Sequence, residues 1–429
     1  MSHLSLDKVI PEQIIVYRIL PYVQDRVGLA NFASVSRKLH NLVVCLECAE
    51  FWDKASEKPF QICIDGYCSV CHLSQPRSSL PSAFRLLSKF PLRRILIHCF
   101  LTDIPQCLDA LAERGVVTGL DISFTNKSNS PPLDVVLQDC HADTLTPYAF
   151  THLRTLSLNS SHLYHVKLPG RARLLEILGS NLTKLEFLNL SPSKVFNIIS
   201  NRCPQLLQLR VDKAQTLADL ASYHSSQLLE LELCRCMFIP SVLDFPSLRR
   251  LKFSAAFRME DSQVRSVVAC IPIQLTELVM EIPSMCADLL LMHISKSLVS
   301  LQTLILESSY EEGCISVGAL TELGKRCVLL HTFEIYASKS VSRLGFSDAN
   351  AFLVLGCGFV GLKQVELPLH CVLDVLGNFE ELLSMSTCPP QIIIKAKRKW
   401  ISGLWETLLK QFAALNKKFE QRHITLVDF

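Results

Sequence analysis

From Leu92 onward, apolar residues of this chain recur in a fixed figure: one residue, then another three later, then a third two beyond that. The clearest copy lies in Leu228 to Phe238, where Leu228, Leu231, Leu233, Cys236 and Phe238 hold the apolar or thiol positions. Side chains two apart share a face of a strand, so Leu231 and Leu233 point one way and Glu230, Glu232 and Cys234 the other. Copies begin at Leu92-Ile95-Ile97 and Val117-Leu120-Ile122. They continue through Leu153-Leu156-Leu158, Leu185-Leu188-Leu190, Leu206-Leu209-Val211, Leu228-Leu231-Leu233 and Leu248-Leu251-Phe253. The last are Leu275-Leu278-Met280, Leu301-Leu304-Leu306, Leu330-Phe333-Ile335 and Leu362-Val365-Leu367. Their first positions are 25, 36, 32, 21, 22, 20, 27, 26, 29 and 32 residues apart. Amphipathic stretches at Leu174–Leu178, Val195–Ile199, Val264–Ile271 and Val317–Leu323 lie between copies and predict helices.

One strand and one helix per 20–29 residues is the pattern of a leucine-rich repeat, with insertions at the longer steps. The predicted fold is α/β: a solenoid of parallel strands inside and helices outside, over residues 89–388. The tail, 389–429, continues the alternation and reads as a C-terminal repeat and cap. Val372–Met385 predicts a helix, Ile392-Ile393-Ile394 a strand, Ile401–Phe419 a helix and Ile424–Val427 a last strand. Ile401, Leu404, Leu408, Phe412, Leu415 and Phe419 form one apolar stripe on that helix. Just before it, Lys395, Lys397, Arg398 and Lys399 form a basic cluster. Residues 56–88 carry Ser, Pro and Gly and read as a linker or an irregular first repeat.

Residues 1–55 differ. Pro11 suits a first helical turn, Ile14, Ile15, Ile19, Tyr22 and Val23 recur at helical spacing, and Pro21 ends or kinks that helix. A second apolar series runs Leu29, Phe32, Val35, Leu39, Leu42, closed by Phe51-Trp52. Ile10-Pro11, Ile19-Leu20, Tyr22-Val23, Val35-Ser36-Arg37 and Phe51-Trp52 stand where an F-box places its motif residues, so this segment resembles an F-box. It departs in one extra residue after Pro11 and in Leu39, where Trp is usual. The helix-Cys-x-x-Leu junctions at Arg202-Cys203-Pro204 and Arg326-Cys327 resemble the cysteine-containing leucine-rich repeats that often follow an F-box. The resemblance implies a three-helix unit that docks a Skp-type adaptor through Ile10, Pro11, Ile14, Ile15, Ile19, Tyr22 and Val23, and through it a cullin–RING ubiquitin ligase. The repeats would hold a protein substrate, and catalysis would lie in partner subunits.

Composition is compatible with this reading. The 429 residues are 49% hydrophobic and 19% charged, with a formal charge of +3, which argues against a general nucleic-acid coat. No run approaches the length of a membrane-spanning helix, and charges among the first residues break any signal-peptide core. The 18 cysteines are scattered in apolar segments, so a reduced cytoplasmic or nuclear setting is expected. Cys68-Ser69-Val70-Cys71-His72 has the letters of a haem attachment motif, and with Cys45 and Cys48 it offers four thiols for zinc. Core packing accounts for these cysteines more simply. Gly356, Gly358 and Gly361 match a dinucleotide fingerprint by letters, but a strand follows them where a helix should, so they read as a helix-to-strand turn. His40, His98 and His370 read as core-edge histidines. No cofactor, metal or enzymatic site is expected.

The polar positions between strand leucines carry the functional expectation. Glu230, Glu232, Glu277, Glu281, Glu307, Glu334 and Glu366 would form an acidic band on the concave face, beside a small basic patch of Arg210, Arg250 and Lys252. A partner with basic residues would be steered there by charge.

Overall fold

A computed structural model describes residues 60–64, 73–75, 94–100, 104–112, 117–125, 150–160, 169–188, 196–212, 226–236, 245–255, 261–282, 287–308, 312–337, 343–396 and 401–428. The seven residues of the expected adaptor-docking helix, His40, and the thiols Cys45, Cys48, Cys68 and Cys71 lie outside them. The chain divides into two units, the first essentially up to Leu190 with Asn197–Leu206, the second from Leu207 to Phe429.

In the first unit, strands β1 (Phe60–Ile64), β2 (Leu73–Gln75), β3 (Arg94–Phe100), β4 (Gly119–Thr125), β5 (Thr155–Ser160) and β6 (Lys184–Leu188) form one parallel sheet. β1 pairs with both β2 and β3, so the segment 56–88 contributes two strands to the sheet. The expected repeat Leu185-Leu188-Leu190 is out of register. Leu156 pairs with Leu185 and Leu158 with Phe187, and the fully buried triplet is Leu182-Leu185-Phe187. Phe187 takes an inward position that is leucine or isoleucine in most other repeats, and the frame therefore starts three residues earlier, at Leu182. With Leu182 as first position, the steps on either side become 29 and 24 residues, inside the ordinary repeat length.

In the second unit, β7 (Gln208–Asp212), β8 (Glu230–Cys236), β9 (Arg250–Ala255), β10 (Glu277–Ile282), β11 (Thr303–Ser308), β13 (Thr332–Ala337), β15 (Gln364–Pro368), β16 (Gln391–Ala396) and β17 (His423–Asp428) pair in parallel in that order. Two further strands, β12 (Glu312–Ile315) and β14 (Arg343–Phe346), pair only with each other. They occupy the long steps after β11 and β13, which the sequence pattern left as insertions. The register is locked by a repeated backbone figure. At the starts of β8, β9, β10, β11, β13 and β15 two successive N–H groups share one carbonyl of the preceding repeat, as Gln302 and Thr303 share Thr276 O at 2.8 and 3.0 Å. The inward ladders Leu231-Leu251-Leu278-Leu304-Phe333-Val365-Ile392 and Leu233-Phe253-Met280-Leu306-Ile335-Leu367-Ile394 are all buried. Each such side chain contributes roughly 1.5–3 kcal/mol of burial.

The expected helices form, some longer than the pattern suggested: Pro169–Leu178, Phe196–Arg202, Asp261–Cys270 and Val317–Arg326. A helix at Ala287–Ser297 was not anticipated; it buries Leu290, Leu291 and Ile294. The expected Val372–Met385 helix is three short pieces: Leu369–Val372, a 3-10 turn Leu373–Asn378, and Phe379–Ser384. In the tail, β16, helix Ser402–Lys418 and β17 match expectation, but Trp405 is buried where Leu404 was expected to be. Phe346, Phe352, Phe379 and Phe412 stack edge-on or tilted across successive repeats, with centroids 5.5, 5.0 and 5.5 Å apart. Gly358 caps helix Ala349–Cys357 ahead of β15, so the glycine run is a helix-to-strand turn. Gly324 is glycine because any Cβ there would collide with the Gly358 carbonyl oxygen.

Candidate functional site

On the open side of the second unit's sheet, strand register lines the polar positions into three rows. The middle row reads Arg210, Glu232, Lys252, Val279, Ile305, Glu334, Glu366, Ile393 and Thr425. Strand starts give the first row, from Gln208 and Glu230 through Arg250 and Glu277 to Gln364, Gln391 and His423. Ser254, Glu281, Glu307, Tyr336 and Lys395 stand in the third.

All ten expected face residues therefore lie on one sheet face, where the three cations approach carboxylates of other strands. Arg250 sits between two carboxylates, Nε 2.9 Å from Glu277 and Nη1 3.7 Å from Glu230. Arg210 approaches Glu232 at 3.6 Å, a charge contact rather than a hydrogen bond. Lys252 reaches two strands along the sheet to Glu307, at 3.0 Å. Its register neighbour Val279 lies between them and is only 3% exposed. Ser254 donates to Glu281. Parallel strands stand about 4.8 Å apart, so charges 20–29 residues apart in sequence become side-by-side neighbours and pair.

At the far side of the same face, Lys395 pairs with Glu366, donates to the Tyr336 hydroxyl, and has its ammonium 4.0 Å from the centroid of the Tyr336 ring. Gln364 Nε2 donates to the other oxygen of Glu366 at 2.6 Å. Burial pulls the Lys395 pKa down, but its bonds to Glu366 and Tyr336 outweigh that and the net shift is upward. Glu334 is in register with Glu366. Burial and then the Glu366 charge raise its pKa, with Lys395 and a Tyr336 hydrogen bond opposing. Lys395 was missed as a face residue because it opens a basic cluster in sequence. The alternation Ile392, Ile394 was the signal that puts Lys395 on the polar side.

β8 carries a bulge between Leu233 and Cys236, where Arg235 takes a left-handed φ of 52°. The Arg235 guanidinium grips Asp212 of β7, Nε to Oδ1 at 2.7 Å. The repeat-junction thiols behave as core groups. Cys203, Cys327 and Cys388 are buried, and burial pushes their pKa values up to about 12, 11 and 11. Cys327 Sγ donates to Leu298 O of the previous repeat at 3.5 Å. Burial lowers the pKa of His370. Among the described residues no group of three or more His, Cys, Asp or Glu is placed to hold a metal ion, and no helix is long and apolar enough to cross a membrane.

No protein-family model matches the chain, and no curated protein matches it in sequence. Among solved structures it is similar to the yeast Rad7–Elc1 complex, at 15% identity over 76% of this chain and 84% of that one, with a TM-score of 0.41. It is also similar to the leucine-rich-repeat-containing protein LegL7 of Legionella pneumophila, at 15% identity over 75% of this chain and 87% of that one, with a TM-score of 0.35. The register and burial of the chain's own repeats make each unit a leucine-rich-repeat-like parallel stack.

Proposed function

We propose that the chain is the substrate-recognition adaptor of an SCF-type cullin–RING ubiquitin ligase. An F-box-like segment docks a Skp-type adaptor through Ile10, Pro11, Ile14, Ile15, Ile19, Tyr22 and Val23, and the open strand face binds a protein substrate. The observation that carries this reading is the F-box resemblance immediately ahead of a leucine-rich-repeat stack. The chain's contribution is proximity, holding a substrate near a ligase whose chemistry is elsewhere. Co-precipitation of the full chain with a Skp-type adaptor tests it: binding is expected, and Ile10→Ala with Pro11→Ala should abolish it. Binding indifferent to that pair of substitutions sinks the ligase reading.

The alternative is a leucine-rich-repeat interaction scaffold without a ligase role. What favours it is that face charges such as Lys252 and Lys395 close onto carboxylates of other strands in the same sheet, a use that needs no ligase partner.

A further inference from the structure

Three strand starts of the second unit converge on a shallow, open cleft of about 540 Å³. Gln364, Gln391 and His423 open β15, β16 and β17, and Lys363, Gln421 and Thr425 complete its polar lining. Backbone bonds hold these positions in place: Lys363 N to His331 O at 2.8 Å, Gln391 N to Lys363 O at 3.2 Å, and His423 N to Pro390 O at 2.9 Å.

The chemistry of this lining is one-sided. It contains a lysine, a histidine, a hydroxyl and three amides, and no carboxylate. The nearest face carboxylate, Glu366, is already paired with Lys395 and bonded by Gln364. Elsewhere on the face Arg250, Lys252 and Lys395 are paired with carboxylates. Here, among the described residues, the side chains of Lys363, Gln391, Gln421, His423 and Thr425 have no hydrogen-bonded or ion-paired partner. A volume of this order suits a small ligand or a short segment of chain, roughly 300–1,000 Å³ for such sites. Amide side chains, each with a donor and an acceptor, match the two groups of a peptide bond. The ammonium of Lys363 is an unopposed positive charge for an anionic oxygen group.

We infer that this cleft binds an acidic polypeptide segment, its carboxylate or phosphate oxygens meeting Lys363 and His423 and its backbone meeting the glutamine amides. The inference does not depend on residues 10–23 binding an adaptor. A partner held here and on the face would present acidic groups to β15–β17 and basic groups to β10–β13.

The test is fluorescence anisotropy on the full chain at low ionic strength. The probes are labelled dodecapeptides of alternating Glu and Ser, alternating phosphoserine and Gly, and alternating Lys and Ser. At least one acidic peptide should bind, and Lys363→Glu with His423→Glu should weaken it by about tenfold or more. Glu322→Gln, on the helix Val317–Arg326 and outside the cleft lining, should leave binding unchanged. Binding of the phosphoserine peptide alone assigns phosphate as the anion; binding of both acidic peptides assigns either oxygen group. The inference is overturned if the Lys–Ser peptide binds as tightly, if the double variant binds unchanged, or if neither acidic peptide binds at about 1 mM. Lys363→Met, which removes charge and keeps the stem, should give the same direction of loss if the double variant misfolds.

Discussion

At the residue scale, Glu334 and Lys395 carry opposite signatures on the same face. The pKa of Glu334 is raised, so its ionised form costs stability in the folded chain. A raised carboxyl favours the fold below its unfolded value of 4.5 and loses that contribution as pH climbs through the folded value. Glu334→Gln should therefore raise the melting temperature at pH 7, with the gain shrinking towards pH 4.5, as thermal scans across pH would show. Lys395 is the reverse. Its ion pair with Glu366 has side-chain exposures of only 15% and 11%, so water does little to replace the lost partner. Lys395→Met should cost about 3 kcal/mol in urea unfolding, and adding Glu366→Gln should recover a good part of it. A cost under about 1 kcal/mol would show the pair to be an ordinary surface bridge.

At the element scale, stability comes from each repeat closing on the next. Ser316 caps helix Val317–Arg326, its hydroxyl accepting from Ala319 N at 3.3 Å, while its own N–H donates to Asp288 of the preceding repeat at 2.8 Å. Ser316→Ala should cost about 1 kcal/mol, the usual worth of an N-cap. Gly324→Ala strikes backbone rather than a yielding side chain, so about 1–3 kcal/mol is expected, with the larger share felt between the helices Val317–Arg326 and Ala349–Cys357. Denaturation curves for the two variants would show whether the tight backbone approach outweighs the cap. The same reasoning explains the frame error at Leu182. Phe187 and Leu188 are equally apolar, and only pairing with Leu158 decides which of them faces inward.

For the whole molecule, adaptor docking and substrate holding are proposed for different stretches of one chain and should separate genetically. Glu277, Glu307 and Glu334 exchanged together for Lys should lose a native substrate in pulldown while keeping the Skp-type adaptor. Retention of the substrate would count against the strand face as its site. Two of the three are already paired, Glu277 with Arg250 and Glu307 with Lys252. Part of the effect would then come from freed cations, and Glu334→Lys alone is the cleaner probe of the face.

What the sequence determined by itself was periodicity. Apolar residues two apart share one side of a strand, so nine of the eleven strands from β7 onward, the α/β alternation and most of the polar face positions are legible from spacing alone. The F-box resemblance is likewise a reading of the sequence, and the adaptor-docking residues that it implies are part of the proposal. Tertiary structure decided every relation between repeats, because hydrogen-bond register has no local signature. It moved the fourth repeat to Leu182-Leu185-Phe187, paired β12 with β14, and split Val372–Met385 where Leu369–Val372 and Phe379–Ser384 pack separately. It also set which cations and carboxylates of the face meet across strands, and it brought Lys395 against Glu366. Leu231 and Leu233 share one face by their spacing alone. Which cation Glu230 and Glu232 meet depends on strands that lie about twenty residues away in sequence and about 5 Å away in the sheet.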